Sequence, residues 1–298
     1  MRQLAGIFAP VVSTFSETTG DVDAAAFASN IQAHLAAGLD GIVVTGSTGE
    51  AALLDFEERG IFVDAARSVV PDDKMLIVGT GAESTRACLR LTKDAAHRGA
   101  DAVLVVAPHY YSSAMTIDVL RAHYRRVADE SPVPVVLYNI PKYMHFALPA
   151  DLVAELSNHE NVIGIKDSSG KADLFSGFLA AQSDTFAVLT GNGPFWQASL
   201  AAGGRGGILA VSLFAPAISR DIFDAMQRGD LSTAVSLQER LTPPGGRIVG
   251  DFGVPGVKAA LDAVGLYGGP VRSPLMPLAS AQQAEVRELL RIAELATA

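Results

Sequence analysis

Residues 102–139 read AVLVVAPHYYSSAMTIDVLRAHYRRVADESPVPVVLYN, and the organisation of this stretch decides the fold. Two short apolar runs, Ala102–Pro108 and Val133–Asn139, lie on either side of an amphipathic segment, Ile117–Asp129. Apolar runs that are continuous rather than alternating are typical of parallel strands buried on both faces. Two parallel strands need a long crossover between them, usually a helix. The stretch therefore predicts a strand–helix–strand unit.

The same alternation recurs along the chain on both sides of this unit. The further apolar runs are Gly6–Val12, Gly41–Gly46, Met75–Gly81, Asn161–Asp167, Phe186–Asn192 and Gly206–Ser212. Amphipathic segments between them include Asp23–Ala37, Asp55–Val70 and Ser84–Arg98, and each of these three begins with a residue that favours the N-cap of a helix. Eight strand–helix units predict an α/β fold of the (β/α)8 TIM-barrel type. An open doubly wound sheet is disfavoured because VVSTFSETTGD, at residues 11–21, carries no dinucleotide-binding glycine pattern.

The chain continues beyond the eighth unit, which ends near Arg228. We therefore predict a barrel over residues 1–228 and a C-terminal helical region over residues 229–298 that packs on it. Helices are expected at Leu231–Leu241, Gly256–Val264 and Ala281–Ala296. The proline and glycine cluster Pro243–Gly246 predicts a loop between the first two of these helices.

Composition excludes several classes of function. The chain has 298 residues, a formal net charge of −9, 49% hydrophobic residues and 18% charged residues, which is unlike a disordered protein. The negative charge argues against nucleic acid or an anionic membrane as the partner. The single cysteine, Cys88, excludes an intrachain disulfide and favours a reducing compartment. No apolar run is long enough to span a bilayer, and the first residues lack the features of a signal peptide, so we expect a cytoplasmic protein.

Lys166 is the most informative residue at the end of a predicted strand. The lysines are Lys74, Lys93, Lys142, Lys166, Lys171 and Lys258, and only Lys166 closes an apolar run. A lysine in that position is costly unless its amine is paired or neutral. A neutral amine is the group that attack on a carbonyl requires. The alternative is a structural ion pair with Asp167 or Glu50.

Other strand ends carry groups suited to binding or proton transfer. The phenol of Tyr138 is placed to move protons, although a core tyrosine with a satisfied hydroxyl is the alternative. The hydroxyls and turn amides of Gly46–Glu50 (GSTGE) suit a carboxylate, and Gly46 and Gly49 permit close backbone approach. Gly191 would likewise let a small ligand approach the backbone. The six histidines show no metal-ligand spacing, so we expect no metal site.

Three motifs together resemble the dihydrodipicolinate synthase / N-acetylneuraminate lyase family. They are GSTGE at 46–50, YNIP at 138–141 and GIKDSSG at 164–170, and the resemblance extends from Gly6 to about Pro277. It implies a class I, metal-independent lyase that handles pyruvate on a (β/α)8 barrel. It also implies a homotetramer built as a dimer of dimers, with no organic cofactor.

The resemblance implies a role for each matching residue. Lys166 forms the Schiff base with a 2-oxo acid, and Tyr138 relays protons to and from the substrate. Ser47 and Thr48 hold the pyruvyl carboxylate, and Ser47 also takes part in the relay. The remaining matches are Tyr110, which is inserted into a neighbouring subunit's site with Tyr111 as the alternative, and Gly191 and Ile208, which line the pocket.

The stretch that follows YNIP separates this chain from the synthases. In dihydrodipicolinate synthases an arginine lies two residues beyond the proline and holds the carboxylate of the aldehyde substrate. Tyr143 occupies the matching position here, which puts lysine biosynthesis in doubt and places Tyr143 beside the aldehyde half of the substrate. Lys142 or His145 would be the replacement cation.

Three other stretches are most similar to the 4-hydroxy-2-oxoglutarate aldolase branch. They are PHYYSSAMT at 108–116, HYRRVADESPVPVVLYNIP at 123–141 and DFGVPGVKAALDAVGLYGGPVRSPL at 251–275. Our hypothesis is therefore retro-aldol cleavage of a 4-hydroxy-2-oxo acid to pyruvate and an aldehyde. Within the family, the alternatives are dihydrodipicolinate synthase and a 2-keto-3-deoxy sugar-acid aldolase or dehydratase. From other classes, they are a non-catalytic sensor of 2-oxo acids and a pyridoxal-phosphate enzyme, for which no phosphate cradle is evident.

Overall fold

Eight parallel strands close into one barrel, pairing in chain order from β1 to β8 and back to β1 in the computed structural model, which describes residues 3–295. The strands are β1 Gly6–Pro10, β2 Gly41–Val44, β3 Met75–Gly79, β4 Ala102–Val106, β5 Val135–Asn139, β6 Val162–Asp167, β7 Ala187–Thr190 and β8 Gly206–Ile208. The predicted (β/α)8 barrel is confirmed. Because all the strands run in the same direction, their C-terminal ends lie at one mouth of the barrel.

The helices alternate with the strands and then continue beyond them. They are α1 Ala24–Ala36, α2 Phe56–Val69, α3 Thr85–His97, α4 Ile117–Glu130, α5 Pro141–Met144, α6 Ala150–Leu156, α7 Ala172–Leu179, α8 Trp196–Ala201, α9 Pro216–Gln227, α10 Leu231–Pro244, α11 Gly253–Ala263 and α12 Ser280–Ile292. The N-caps predicted at Asp23, Asp55 and Ser84 are present, since each side chain accepts a hydrogen bond from the amide three residues further on. No helix in residues 3–295 is long and apolar enough to cross a membrane.

The strands are buried almost throughout, which explains their continuous apolar sequence. Side chains of the C-terminal helices belong to the same hydrophobic core as the strands. They include Leu241, Ile248, Val257, Leu261, Val286 and Leu290. The helical region after α9 therefore shares its packing with the barrel.

The loop predicted at Pro243–Gly246 is wrong. Helix α10 runs through Pro243 and Pro244 and continues directly into a π-helix, Gly245–Asp251. Leu241, Pro244 and Ile248 are all buried, so tertiary packing outweighs the helix-breaking tendency of proline. Pro243 and Pro244 have no amide hydrogen to donate within α10, and the π-helix begins directly after them.

Several strands are shorter than the apolar runs that predicted them. The run Gly41–Gly46 becomes a strand that ends at Val44, and the run Phe186–Asn192 becomes one that ends at Thr190. The residues beyond these ends leave the sheet, and Gly46 and Gly191 then line cavities at the mouth of the barrel. The predicted end of the last helix at Ala296 lies outside the described residues.

Candidate active site

Tyr138 and Lys166 lie side by side near the C-terminal ends of β5 and β6. The two residues are in register across the parallel pair, so their side chains leave the sheet on the same face. The Lys166 Nζ atom lies 4.3 Å from the centre of the Tyr138 ring. Both side chains line one cavity inside the mouth of the barrel. Strand alternation turns the following residues, Asn139 and Asp167, to the opposite face.

Lys166 makes no ion pair or hydrogen bond with any residue in the described part of the chain, although only 6% of its surface is exposed. Its amine faces the cavity, close to Tyr138. A buried lysine that lacks an anionic partner is unusual in a structural role and is common where the amine is a nucleophile. The arrangement leaves the Nζ atom accessible to a molecule in the cavity.

The two carboxylates proposed as structural partners of Lys166 are engaged elsewhere, so that alternative is wrong. Asp167 accepts hydrogen bonds from Asn139 Nδ2 at 2.7 Å and from Ser169 Oγ at 2.7 Å. Burial raises the pKa of Asp167, and the hydrogen bonds from Ser169 and Asn139 oppose that rise. Glu50 pairs with Lys258, at an Oε1–Nζ distance of 2.6 Å.

The Tyr138 side chain is only 4% exposed, yet its hydroxyl forms no hydrogen bond within residues 3–295. It lines both of the cavities at the mouth of the barrel. A core tyrosine normally satisfies its hydroxyl within the protein. The phenol is therefore available to a bound molecule, which is the arrangement that proton transfer requires.

The GSTGE loop follows β2 and presents Ser47 and Thr48 to the same cavity as Lys166. Two non-glycine residues on either side of this pair, Thr45 and Glu50, have left-handed backbone angles, with φ of 49° and 55°. Such conformations are strained for residues other than glycine and persist where the surroundings hold them. Here Ser13 Oγ donates to the Gly49 carbonyl at 2.6 Å and Thr45 Oγ1 donates to the Gly79 carbonyl at 3.0 Å.

The inner cavity has a volume of about 220 Å³ and holds most of the residues predicted to form the site. Those lining it are Ser47, Thr48, Tyr138, Tyr143, Lys166, Gly191 and Ile208. It also contains residues that the sequence does not single out, among them Ser168, Asn192 and Val257. Ser168 is detectable from sequence because it belongs to the GIKDSSG motif, whereas Val257 comes from α11 and has no local signal.

A larger outer cavity of about 840 Å³ adjoins the inner one. The two share Ser47, Tyr138, Ile140, Lys142, Tyr143, Gly253 and Val254. Gly46 and His145 line only the outer cavity, and Gly49 lines neither of them within the described chain. Gly49 instead supports the loop from behind, since a Cβ atom there would lie 3.1 Å from the Val11 carbonyl oxygen.

Tyr143 and Lys142 lie on the short helix α5, at the boundary of the two cavities. The Lys142 Nζ atom donates to the Gly250 carbonyl at 2.7 Å, which connects α5 to the π-helix. Burial, and then the nearby Tyr138, raise the pKa of the Tyr143 phenol. Tyr143 therefore presents a neutral hydroxyl at the position where the resemblance implies an arginine in the synthases.

Tyr110 lies outside both cavities of its own chain. It is 77% exposed, and its ring packs edge-to-face on Tyr111, which is 70% exposed, with 5.0 Å between the ring centres. Its backbone amide donates to Glu83 Oε2 at 2.8 Å, which anchors the base of the loop. The aromatic pair therefore lies on the surface of the chain, apart from the residues that line the two cavities.

No group of three or more His, Cys, Asp or Glu side chains within residues 3–295 is placed to hold a metal ion. The carboxylates nearest Lys166 in sequence and in the loop are already bonded to protein groups. The polar groups that face the inner cavity are instead hydroxyls, an amide and amines. Such groups suit an organic anion.

Gly191→Ala is expected to reduce turnover by about a hundredfold while the protein stays folded. A Cβ atom at position 191 would lie 2.6 Å from Lys166 Cε and 2.0 Å from Ser168 Oγ, so the methyl group would displace the lysine side chain. Turnover and the thermal unfolding midpoint measure the two effects. Adding Ser168→Ala removes the shorter contact alone, and full recovery in that double variant would contradict displacement of Lys166 as the cause.

A sequence profile described as "Dihydrodipicolinate synthetase family" matches residues 3–293 of this chain, nearly its whole length. The chain belongs to the dihydrodipicolinate synthetase family. Members of this family are lyases of the aldolase type, and the chain is accordingly a class I aldolase of that family. The barrel, the lysine at the end of β6 and the tyrosine beside it agree with that membership.

Relatives within the dihydrodipicolinate synthetase family carry two different activities in their names. A 4-hydroxy-tetrahydrodipicolinate synthase from Syntrophus aciditrophicus is 33% identical over 290 residues, covering 96% of this chain and 97% of its own. A probable mitochondrial 4-hydroxy-2-oxoglutarate aldolase from Emericella nidulans is 35% identical over 294 residues, covering 95% and 93%. Relatives of similar identity to this chain are therefore named for two different reactions.

Solved structures of the family superpose closely on this barrel. The chloride-inhibited dihydrodipicolinate synthase from Acinetobacter baumannii, complexed with pyruvate, has a TM-score of 0.93 and 29% sequence identity, and the match covers 98% of this chain and all of that one (100%). A dihydrodipicolinate synthase from Bacillus anthracis has a TM-score of 0.93 and 30% identity, with 98% and 99% covered.

Proposed function

We propose that this enzyme forms a Schiff base between Lys166 and a 2-oxo acid, and that it cleaves a 4-hydroxy-2-oxo acid to pyruvate and an aldehyde. The observation that carries the proposal is the Lys166 amine, which faces the inner cavity without an anionic partner and lies beside the Tyr138 ring. The Acinetobacter baumannii synthase was solved as a complex with pyruvate, which supports pyruvate as the product or co-substrate here.

The reaction begins with attack of the Lys166 amine on the C2 carbonyl of the substrate. A carbinolamine forms, loses water and becomes an iminium ion that joins the substrate to Nζ. Ser47 and Thr48 hold the adjacent carboxylate through their hydroxyls, which keeps C2 within reach of the amine. The covalent iminium supplies the electron sink, and we therefore propose that the reaction needs no metal or organic cofactor.

Carbon–carbon cleavage follows from the iminium. Tyr138 and the Ser47 hydroxyl relay the proton of the 4-hydroxyl group, which is later returned to C3 of the enamine, and the C3–C4 bond breaks to release an aldehyde. The electron pair of that bond moves to the iminium and gives an enamine on Lys166. Protonation of the enamine at C3 and hydrolysis of the iminium release pyruvate and restore the free amine.

Apolar residues in the wall of the inner cavity favour a short substrate over a sugar acid. Pro194, Ala210, Val249, Val254 and Val257 line it and offer no side-chain hydrogen bonds to a chain of hydroxyl groups. A polyhydroxy substrate would leave its hydroxyls unpaired against these residues, which is costly. Lys142, at the boundary of the cavities, is the cation placed to meet a distal carboxylate such as that of 4-hydroxy-2-oxoglutarate.

Dihydrodipicolinate synthase is the second candidate, and the names of the relatives favour it. The relatives from Syntrophus aciditrophicus and Methanoculleus marisnigri, among others, carry the name 4-hydroxy-tetrahydrodipicolinate synthase. Both candidates use the same iminium and differ only in the aldehyde partner. We place the synthase second because Tyr143 occupies the position of the synthase arginine.

We further propose that the enzyme works as an oligomer, a tetramer built as a dimer of dimers. The exposed pair Tyr110 and Tyr111 supports this proposal because two large aromatic side chains on a loop tip are typical of a contact surface. Tyr110 would then contribute its ring to the site of the adjacent copy.

A substrate panel tests the proposed reaction. Release of pyruvate is followed with a coupled dehydrogenase, using 4-hydroxy-2-oxoglutarate, 4-hydroxy-2-oxovalerate and a 2-keto-3-deoxy sugar acid as substrates. We expect kcat/KM to be highest for 4-hydroxy-2-oxoglutarate, and at least about tenfold lower for the sugar acid because its hydroxyls lack partners. Faster condensation of pyruvate with aspartate semialdehyde than cleavage of any panel member would overturn the ranking in favour of the synthase.

A further inference from the structure

We propose that the buried ion pair between Glu50 and Lys258 positions the carboxylate-binding loop and neutralises Glu50, so that an anionic substrate can bind beside it. The proposal rests on the proposed function, because it assumes that Ser47 and Thr48 hold the carboxylate of a 2-oxo acid. Lys258 and Glu50 are then positioning residues, which act through the loop rather than by touching the reacting atoms.

The pair is fully enclosed. Lys258 is 2% exposed and Glu50 is 3% exposed, and their Nζ and Oε1 atoms are 2.6 Å apart. The Lys258 Nζ atom also donates to the Pro270 carbonyl at 2.6 Å and lies 4.7 Å from the centre of the Phe15 ring. The ammonium group is therefore surrounded by an anion, a carbonyl dipole and an aromatic face. Burial lowers the pKa of Lys258, and the Glu50 carboxylate opposes that effect.

Glu50 connects this pair to the substrate-binding loop through the backbone. It has the left-handed φ of 55°, and its amide donates to the Ser47 carbonyl at 3.2 Å, which closes the turn that presents Ser47 and Thr48. Its second carboxylate oxygen, Oε2, accepts a hydrogen bond from the Arg272 amide at 2.7 Å. A strained turn residue whose side chain is held at both oxygens fixes the turn more firmly than the turn's own hydrogen bonds do.

Charge gives the pair a second effect on binding. Glu50 is three residues from Ser47, and an unpaired carboxylate there would repel the carboxylate of the substrate with little screening by water. Lys258 places a positive charge against it, and the Arg272 guanidinium, which lies 4.2 Å from the Phe15 ring centre and pairs with Glu58 at 2.7 Å, adds another nearby. The loop is thus kept close to neutral in a protein whose net charge is −9.

Helix α11 brings the lysine to this position and also lines the inner cavity. Val254 and Val257 face the cavity, and Lys258, the next residue, points to Glu50. One helix therefore supplies both a wall of the site and the cation behind its carboxylate-binding loop. A C-terminal helix that only covered the barrel would need neither contact.

The test compares Lys258→Met, the neutral double variant Glu50→Gln/Lys258→Met and wild type. Each is titrated with pyruvate, and imine formation is measured by borohydride reduction and mass spectrometry. We expect the half-saturating pyruvate concentration to rise at least about tenfold in the double variant, and further in Lys258→Met, where the Glu50 anion is left unpaired. The rate of imine formation at saturating pyruvate should change much less.

The matched control lies at the other end of the same strand. Asp40 precedes β2 and pairs with Arg220 at 2.6 Å, so Asp40→Asn/Arg220→Met removes a partly exposed ion pair of similar length at the opposite end of β2 from the loop. This control should leave pyruvate saturation within about twofold of wild type. Circular dichroism and the unfolding midpoint of every variant separate lost binding from lost folding.

The positioning role would be overturned if the double variant folds and its half-saturating pyruvate concentration equals that of wild type. It would also be overturned if the control variant raises that concentration by the same factor. If the double variant does not fold, Glu50→Asp decides, because it keeps the negative charge but shortens the side chain that reaches Lys258 and the Arg272 amide. Half-saturation raised several-fold supports the proposal, and unchanged half-saturation contradicts it. Absence of any adduct in wild type would instead show that the proposed Schiff-base chemistry is wrong.

Discussion

Lys166→Ala is expected to lower turnover by about 10⁴-fold or more, because the variant has no amine with which to form the iminium. The protein should stay folded. Lys166 forms no ion pair with any residue in 3–295, so its removal leaves no buried charge unpaired. We expect the free energy of unfolding to change by less than about 2 kcal/mol, as is usual for losing a partly packed side chain. Turnover assays and chemical denaturation measure the two quantities.

The control for this prediction is Lys166→Arg, which keeps a positive charge but has no nucleophilic amine. It should be as inactive as the alanine variant. Substantial activity in Lys166→Arg would mean that charge, rather than covalent attack, is what the residue supplies. A Lys166→Ala protein that fails to fold would indicate a structural role that the observed contacts do not suggest.

Tyr138→Phe is expected to lower kcat by about 10² to 10³-fold, since the lost hydroxyl is proposed to relay the proton of the 4-hydroxyl group. Its effect on stability should be small because that hydroxyl bonds to no other described residue. The ring remains beside Lys166, so imine formation with pyruvate should persist at a reduced rate. Steady-state kinetics and borohydride trapping together distinguish a lost proton relay from a lost site.

Tyr124→Phe is the matched control for the phenol. Tyr124 is fully buried on α4, and its hydroxyl lies 3.4 Å from the Val105 carbonyl, away from both cavities. Removing that hydroxyl should leave turnover within about twofold of wild type. An equal loss of activity in the two variants would show that the Tyr138 effect comes from general loosening of the core and not from proton transfer.

The barrel can be predicted because its determinants are local. Each buried strand is a continuous apolar run, and caps such as Asp23, Asp55 and Ser84 mark helix starts within the sequence. Parallel strands then bring their C-terminal ends together, so residues that close different runs meet at one mouth. For that reason Lys166 and Tyr138 can be predicted from sequence to lie at the same mouth, and the resemblance to the family supplies their roles.

What the sequence does not predict depends on contacts between distant segments. The sequence predicts that Lys258 lies on a helix and indicates no role for it. It also suggests Glu50 as an ion-pair partner of Lys166. The actual pairing of Glu50 with Lys258 follows from the position of α11 in the fold, which brings Lys258 to the loop after β2. The passage of α10 through Pro243 and Pro244 is similar, because burial on the barrel outweighs the local preference of proline. The ion pair and the continuous helix both depend on packing between distant segments, which no local sequence pattern predicts.

The role of Tyr110 is a further feature that the sequence of one chain predicts only in part. Its motif indicates a role in catalysis, and yet its side chain projects 77% exposed from the chain that carries it. An exposed side chain agrees with insertion into another copy of the chain. The sequence does not specify how two copies would contact each other. Sedimentation of the wild type and of Tyr110→Ala would measure whether this loop contributes to assembly.

Borohydride trapping with pyruvate tests the central claim most directly. The protein is incubated with pyruvate, reduced, weighed intact and then digested so that the modified peptide can be sequenced. We predict one stable adduct per chain, of the mass of a reduced pyruvyl imine, on Lys166 and absent from Lys166→Arg. No adduct, or an adduct on another lysine such as Lys142, would contradict the proposed chemistry.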